Sequence, residues 1–381
     1  MGKIPFNKPY NSGSELYYIA QSVLNGHSSG DGPFGKKCED LLKDIMGVSR
    51  APLLTTSCTS ALEISAMQID FDSKSEFILP SYTFVSTANA FCLRGAKPIF
   101  ADIDPETLNV DLAHVESLVS NNTKVIVPVH YAGTSCDLDE LLRISRKNNI
   151  LVVEDAAQAI TSTYKGKALG TFGDFSAFSF HETKNIICGE GGALFVNNEN
   201  FRSNSEIIRE KGTDRAQFFR GQVDKYTWRS LGSSYVLSDI SAAFLLAQLE
   251  NIASIQKKRM SLYNTYLENL SILQDKGILK LPSIPEYNEH NAHIFYLLLD
   301  DTETRKKLIS YLKDKGIMSV FHYIPLHDSP MGENYGYKKG MLPVTESISS
   351  RILRLPLCSA FTLDEIETVS DAVLSFFGIV R

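Results

Sequence analysis

The feature that most constrains this chain is a set of short, unbroken apolar runs between about residues 50 and 200. They lie at 76–80 (EFILP), 98–102 (PIFAD), 124–130 (KVIVPVH), 150–155 (ILVVED), 175–180 (FSAFSF) and 192–196 (GALFV). Each is too short and too continuously apolar for an amphipathic helix, and each fits a strand buried on both faces. Helical stretches separate several of them. One covers 137–148, where Asp137 and Glu140 make a capping-box-like start and Leu138, Leu141 and Leu142 supply an apolar stripe. Strands alternating with helices predict an α/β fold with a mostly parallel sheet.

The pattern changes further along. Ser238 can cap a long helix running from 239 toward 258, with Ile240, Phe244 and Ala247 on one face. LPSIP at 281–285 is a break. A strand at 293–298, a helix at 304–315 stopped by Gly316, and a second strand at 319–323 follow. This predicts a smaller α+β domain, so the 381 residues divide into a large domain with an N-terminal segment, 1–250, and a small C-terminal domain, 251–381.

Composition narrows the function classes. A chain with 43% hydrophobic and 22% charged residues is globular rather than disordered or fibrous. Its net charge of −6 gives no electrostatic reason to bind nucleic acid or an anionic membrane, so an anionic ligand needs a local pocket. The six cysteines form no CxxC pair and the eight histidines no HExxH pattern, so no metal site is expected. Residues 1–14 are polar, and no run approaches the ~18 apolar residues of a membrane span. The expectation is a soluble cytoplasmic protein with reduced thiols.

Parallel sheets bind ligands beyond the carboxyl ends of their strands. Asp155 ends one apolar run, and Lys184 stands 29 residues later, just past another. That offset is about one strand–helix–strand excursion, which can place the acid and the lysine on neighbouring strand ends. Pyridoxal phosphate (PLP) needs both: a lysine for a Schiff base and a carboxylate to keep its ring nitrogen protonated. It also needs a phosphate cradle, and the hydroxyl cluster at 55–60 precedes a helix-like stretch. An aromatic lid is available in Tyr82 or Phe84. Singly, each feature has a plainer reading: a surface lysine, a helix cap at Asp155 or at 55–60, a core aromatic, a tight turn at 189–192. Their order and spacing together carry the case.

Five motifs support a resemblance: TSCTSAL at 56–62, PSYTF at 80–84, EDAAQ at 154–158, SFHETK at 179–184 and GEGG at 189–192. With them the chain resembles, over nearly its whole length, the DegT-type family of PLP-dependent nucleotide-sugar aminotransferases. PVHYAG at 128–133, REKGT at 209–213, FFRGQVDKYTW at 218–228 and HYIPLH at 322–327 make it most similar to the branch forming dTDP-4-amino-4,6-dideoxy-galactose.

The resemblance implies a type I aminotransferase fold, with a large, mostly parallel seven-stranded-type sheet and a smaller α+β domain, and a homodimer with shared active sites. It implies that Lys184 carries the cofactor, Asp155 pairs with the pyridinium nitrogen, Gln158 lies against the ring and Phe84 stacks on it. Cys58 (through its backbone), Thr59 and Ser179 would hold the phosphate. Ser234 stands where much of the family has an asparagine reaching that phosphate from the other subunit. Asp31, Arg220, Lys225, Trp228, His322 and Tyr323 would line the sugar and diphosphate pocket; for His322 a structural role is the plainer reading.

The activity implied is transfer of an amino group from L-glutamate, through the pyridoxamine phosphate form, to the C4 ketone of dTDP-4-keto-6-deoxy-D-glucose for surface polysaccharide. A galacto product is favoured. The gluco epimer and amination at C3 stay open. A sugar dehydratase of the same fold would have histidine in place of Lys184. A non-catalytic regulatory protein would have no need of the Asp155/Lys184 pair.

Overall fold

A computed structural model describes residues 3–379. Its strands are β1 (Leu53–Thr55), β2 (Glu76–Pro80), β3 (Lys97–Ala101), β4 (Thr123–Ile126), β5 (Leu151–Asp155), β6 (Thr163–Tyr164), β7 (Lys167–Ala168), β8 (Phe175–Ser179), β9 (Gly192–Val196), β10 (Leu279–Lys280), β11 (Asn288–Glu289), β12 (Phe295–Leu299) and β13 (Ile352–Leu355). A seven-stranded sheet has the order β1-β9-β8-β5-β4-β2-β3, and only β9 runs against its neighbours.

The apolar runs form strands because both faces of this sheet are covered. Along β9, Ala193 and Phe195 enter one core, with Ile78, Val152 and Phe178. Leu194 and Val196 enter another, with Phe77, Val153 and Phe175. Successive side chains point to opposite faces, so a strand between two apolar layers needs no polar alternation. Burying each such side chain contributes roughly 1.5–3 kcal/mol.

A third core lies under the second half of the chain. The helix Ile252–Asp275 packs Leu262, Tyr266 and Leu270 against β12 and the helix Leu363–Phe376. Ile4 joins this core too, through a parallel bridge to Ile317. β10, β12 and β13 form one small antiparallel sheet, and β11, β6 and β7 another.

Three local expectations are corrected. The helix begun at Ser238 ends at Glu250; Asn251 breaks it, and Ile240 is exposed. Its buried face keeps Ala247 of the expected three and adds Ala242, Ala243, Leu246 and Leu249, with Phe244 half-buried. At 137–148 the cap is one-sided: Asp137 accepts from the Asp139 and Glu140 amides, while the Glu140 carboxylate turns to Arg143. Residues 319–323 make no strand, only a bridge from Val320 to Arg354. The His322 and Tyr323 rings stack at 3.8 Å, which neighbouring residues of an alternating strand cannot do.

Candidate active site

The chain turns leaving β1, β2, β5 and β8 surround a cavity of about 710 Å³. Cys58, Thr59, Phe84, Asp155, Gln158, Ser179, Lys184, His322 and Tyr323 all line it.

Asp155 ends β5 and is buried. Its Oδ2 accepts a 2.7 Å hydrogen bond from the Thr87 hydroxyl, and its Oδ1 accepts from the Ala157 amide at 3.1 Å. No helix starts there, so the carboxylate is not a helix cap. Among the described residues no cation pairs with it. A buried carboxylate facing a cavity in this state suits a positively charged or proton-bearing partner.

Lys184 follows β8 in a turn closed by its own amide donating to His181 O. Its amine has no hydrogen-bond partner among the described residues. Burial pushes its pKa down and Arg354 pushes the same way, against the opposing pull of Cys58 and Asp155. An amine held toward its neutral form is a nucleophile and a base.

The helix Cys58–Met67 points its N-terminus at the cavity, with Ser57 as cap accepting from the Ser60 amide. Gly192, opposite Ser179 across the β8–β9 pair, closes this corner. A Cβ there would lie 2.4 Å from the Ser57 carbonyl carbon and 2.5 Å from the Cys58 nitrogen. The corner thus combines two close backbones, the first amides of a helix and the Ser179 hydroxyl, the donor set an anion needs. The Thr59 hydroxyl donates to Ser86 at 2.8 Å. Unpaired amine, cation-free carboxylate and anion corner, in one cavity, fit PLP. Lys184 would hold its aldehyde carbon, Asp155 its ring nitrogen, and Cys58, Thr59 and Ser179 its phosphate.

Gln158 is fixed at both ends: its Oε1 accepts from the Ala132 amide at 2.8 Å and its Nε2 donates to the Tyr323 hydroxyl at 3.0 Å. Phe84, 56% exposed, reaches over the cavity with its ring 6.3 Å from that of Tyr323. Tyr82, the other aromatic of its motif, is buried below. The Tyr131 hydroxyl lies 2.6 Å from His322 Nδ1. Burial, with Arg354 and Lys184 nearby, drives the His322 pKa well below its ordinary value, so the ring is neutral.

The other residues expected from sequence lie elsewhere in this chain. Asp31 pairs with Arg209 at 2.6 Å. Arg220 pairs with Glu206 at 2.7 Å. Lys225, Trp228 and Ser234 are exposed on the segment after the helix Arg215–Phe219. None of these five lines the cavity.

Sequence reasoning missed several wall residues: Phe6, Thr87, His293 and Arg354. Arg354 had a signal, a lone guanidinium inside the apolar run ILRLPL at 352–357. Thr87 had none beyond lying one helical turn past Phe84.

The DegT/DnrJ/EryC1/StrS aminotransferase family matches residues 11–374. This chain belongs to that family. An uncharacterized protein of Methanocaldococcus jannaschii is 36% identical over 90% of this chain and 89% of its own length. The spore coat polysaccharide biosynthesis protein SpsC of Bacillus subtilis is 32% identical over 97% and 96%. A Streptococcus pneumoniae protein described as a sugar aminotransferase, solved in its PLP form, superposes with a TM-score of 0.89 at 25% identity, covering 98% of this chain and 99% of that one. The chain is therefore a PLP-dependent sugar aminotransferase with the type I fold.

Proposed function

We propose that this enzyme moves the amino group of L-glutamate to the C4 ketone of dTDP-4-keto-6-deoxy-D-glucose, giving the galacto-configured 4-amino-4,6-dideoxy sugar for surface polysaccharide. The observation that carries the transamination is the unpaired Lys184 amine and the cation-free Asp155 carboxylate in one cavity. The acceptor rests on the PVHYAG, FFRGQVDKYTW and HYIPLH motifs. SpsC, a polysaccharide biosynthesis protein by its name, agrees with the destination.

Bound PLP supplies an electron sink for the carbanion formed at the donor α-carbon. The residues do the rest. Lys184, once free, would take the proton from the donor α-carbon as general base and, as general acid, deliver it to the cofactor's former aldehyde carbon and not back to the donor. Asp155, oriented by Thr87 and the Ala157 amide, holds a proton on the ring nitrogen throughout. Gln158, fixed by Ala132 and Tyr323, presents a rigid edge to the ring.

The catalytic unit in this reading is a homodimer in the cytoplasm. The exposed segment carrying Arg220, Lys225, Trp228 and Ser234 then serves the partner's cavity, where arginine and lysine suit a diphosphate. The same reading gives 1–250 to the cofactor-binding unit and 251–381 to the small unit. Incubation with dTDP-4-keto-6-deoxy-D-glucose and glutamate, with the product sugar assigned by NMR, tests it. An equatorial C4 amine, a C3 amine or no amino sugar would each overturn the stated acceptor chemistry.

A further inference from the structure

His293 lines the active cavity, is only 8% exposed and takes no part in the chemistry above. Its mount is rigid. Arg259 donates to the Ala292 and His293 carbonyls at 2.7–3.1 Å, and the Asn291 side chain donates to the Gln158 and Ile160 carbonyls at 2.8 Å. The ring meets Asn185, the residue after the lysine, with Nδ1 2.9 Å from Asn185 Oδ1. Asn185 Nδ2 donates to the Asn291 carbonyl at 2.8 Å, so its Oδ1 is the atom turned to the ring. An amide oxygen only accepts, so His293 Nδ1 must carry a hydrogen. Burial, and after it the charge of Lys184, hold the ring's pKa well below the ordinary value, so the imidazole is neutral. Its Nε2 is therefore a bare acceptor, with no partner among the described residues.

Three kinds of donor can meet that lone pair: a sugar hydroxyl, the ammonium of the amino donor and the Lys184 amine itself. The geometry favours Lys184. The ring is tied to the lysine's own turn through Asn185, so the two keep their spacing. Of the charged groups around the ring, Lys184 acts on it more strongly than Arg259 or Arg354. Arg259 is already committed to backbone carbonyls. Lys184 has no fixed partner, and its amine rides on a flexible four-carbon stem.

We infer that His293 is a positioning residue: its Nε2 accepts a hydrogen bond from the Lys184 ammonium whenever the lysine is free of the cofactor. Resting on the transaminase reading above, this role adds the group that aims the lysine. An ammonium that has just taken the α-proton has three N–H bonds. One held by His293 stops the head from swinging, so that another faces the cofactor carbon due to receive the proton. His293 itself neither gives nor takes a proton.

Two substitutions separate this role from a merely structural one. His293→Asn can still donate to Asn185 but has no atom where Nε2 stood. His293→Gln reaches that point with its carbonyl and gives up the Asn185 contact. In the cofactor-free protein, competitive acetylation across pH with peptide mapping reads the Lys184 pKa. His293→Asn should lower it by about one to two units, because a hydrogen bond to the charged form is lost, and His293→Gln should stay near the wild type. Cys58, Asp155 and Arg354 act on the same amine and His322 neighbours the ring, and both variants keep all four. In the PLP-loaded protein the donor half-reaction is run with α-deuterated glutamate. His293→Asn should slow proton transfer roughly 10- to 100-fold and raise the isotope effect, with half-saturating glutamate unchanged; His293→Gln should recover most of the rate. A Gln variant more impaired than the Asn variant in either readout makes the ring a bare anchor and overturns the inference. So does an unmoved Lys184 pKa in His293→Asn, or a loss confined to the sugar half-reaction, which would assign Nε2 to a sugar hydroxyl. A wild type that consumes glutamate yet aminates no nucleotide sugar refutes the acceptor reading, and the acetylation profile still decides His293.

Discussion

Lys184 is held in the cavity at a cost to the fold. Burial lowers its pKa below that of the unfolded chain, so between the lowered value and the ordinary lysine value the unfolded state binds more protons. The cofactor-free protein should therefore gain stability as pH rises from the lowered value toward the ordinary lysine range. Lys184→Met should be more stable than wild type at pH 7, with the gap shrinking by pH 10; denaturant midpoints at the two values check this. Borohydride reduction of the loaded wild type, then peptide mapping, should label Lys184 and no other lysine. At Asp155, replacement by Asn should keep the fold and lower turnover by about 10³-fold or more, because the ring proton is no longer held. Thr87→Val removes only the hydroxyl that orients Asp155. A hydrogen bond to a charged group is worth about 1.5–3 kcal/mol, so turnover should fall roughly 10- to 100-fold with glutamate affinity little changed. Steady-state kinetics separates the two. The Lys184 and Asp155 positions could be read from spacing because each ends or follows a continuous apolar run. Arg354 could not be placed, since a guanidinium near a strand end looks the same whether it meets solvent or a cavity.

At the scale of elements, the site depends on how closely β9 approaches the helix Cys58–Met67. Gly192→Ala puts a methyl against the Ser57 and Cys58 backbone, which cannot move aside as a flexible side chain could. The helix N-terminus should shift and PLP binding weaken at least tenfold, while the sheet survives. Equilibrium dialysis of cofactor, with circular dichroism as control, measures both. Most sheet strands were legible because double burial leaves a run with no polar alternation, as in EFILP at 76–80. β1 was not: it spans only Leu53–Thr55 before the hydroxyl cluster and pairs with the late strand β9. Strand 319–323 was misread because aromatic and β-branched residues carry strand propensity, whereas packing turns His322 and Tyr323 to one side. The helix past Ser238 was drawn too long because Asn251 is a weak breaker by composition; here its side chain donates back to the Ala247 carbonyl.

On the scale of the whole molecule, the exposed aromatic and basic segment around Phe219, Tyr226 and Trp228 does not line the active cavity of its own chain among the described residues. The proposed homodimer, with its mixed active sites, would give it one to line. Activity per chain should then fall on dilution in step with dimer dissociation followed by light scattering, and full activity in a demonstrated monomer would refute the shared site. The cavity wall also has a consequence for when the enzyme comes into being. Phe6 and Asn7 line it together with Arg354 and Leu357. Ile4 is held by Ile317, and the Asn7 side chain by the Glu182 carbonyl two positions before Lys184. A ribosome adding about 5–20 residues per second therefore separates the first wall residue from the last by roughly twenty seconds to a minute. Over that interval the phosphate corner and the lysine can be in place while the pocket still lacks a side. Capture of the cofactor in a water-excluding site must wait for the strand Ile352–Leu355, so a nascent or truncated chain has the reactive amine before it has the enclosure that disciplines it.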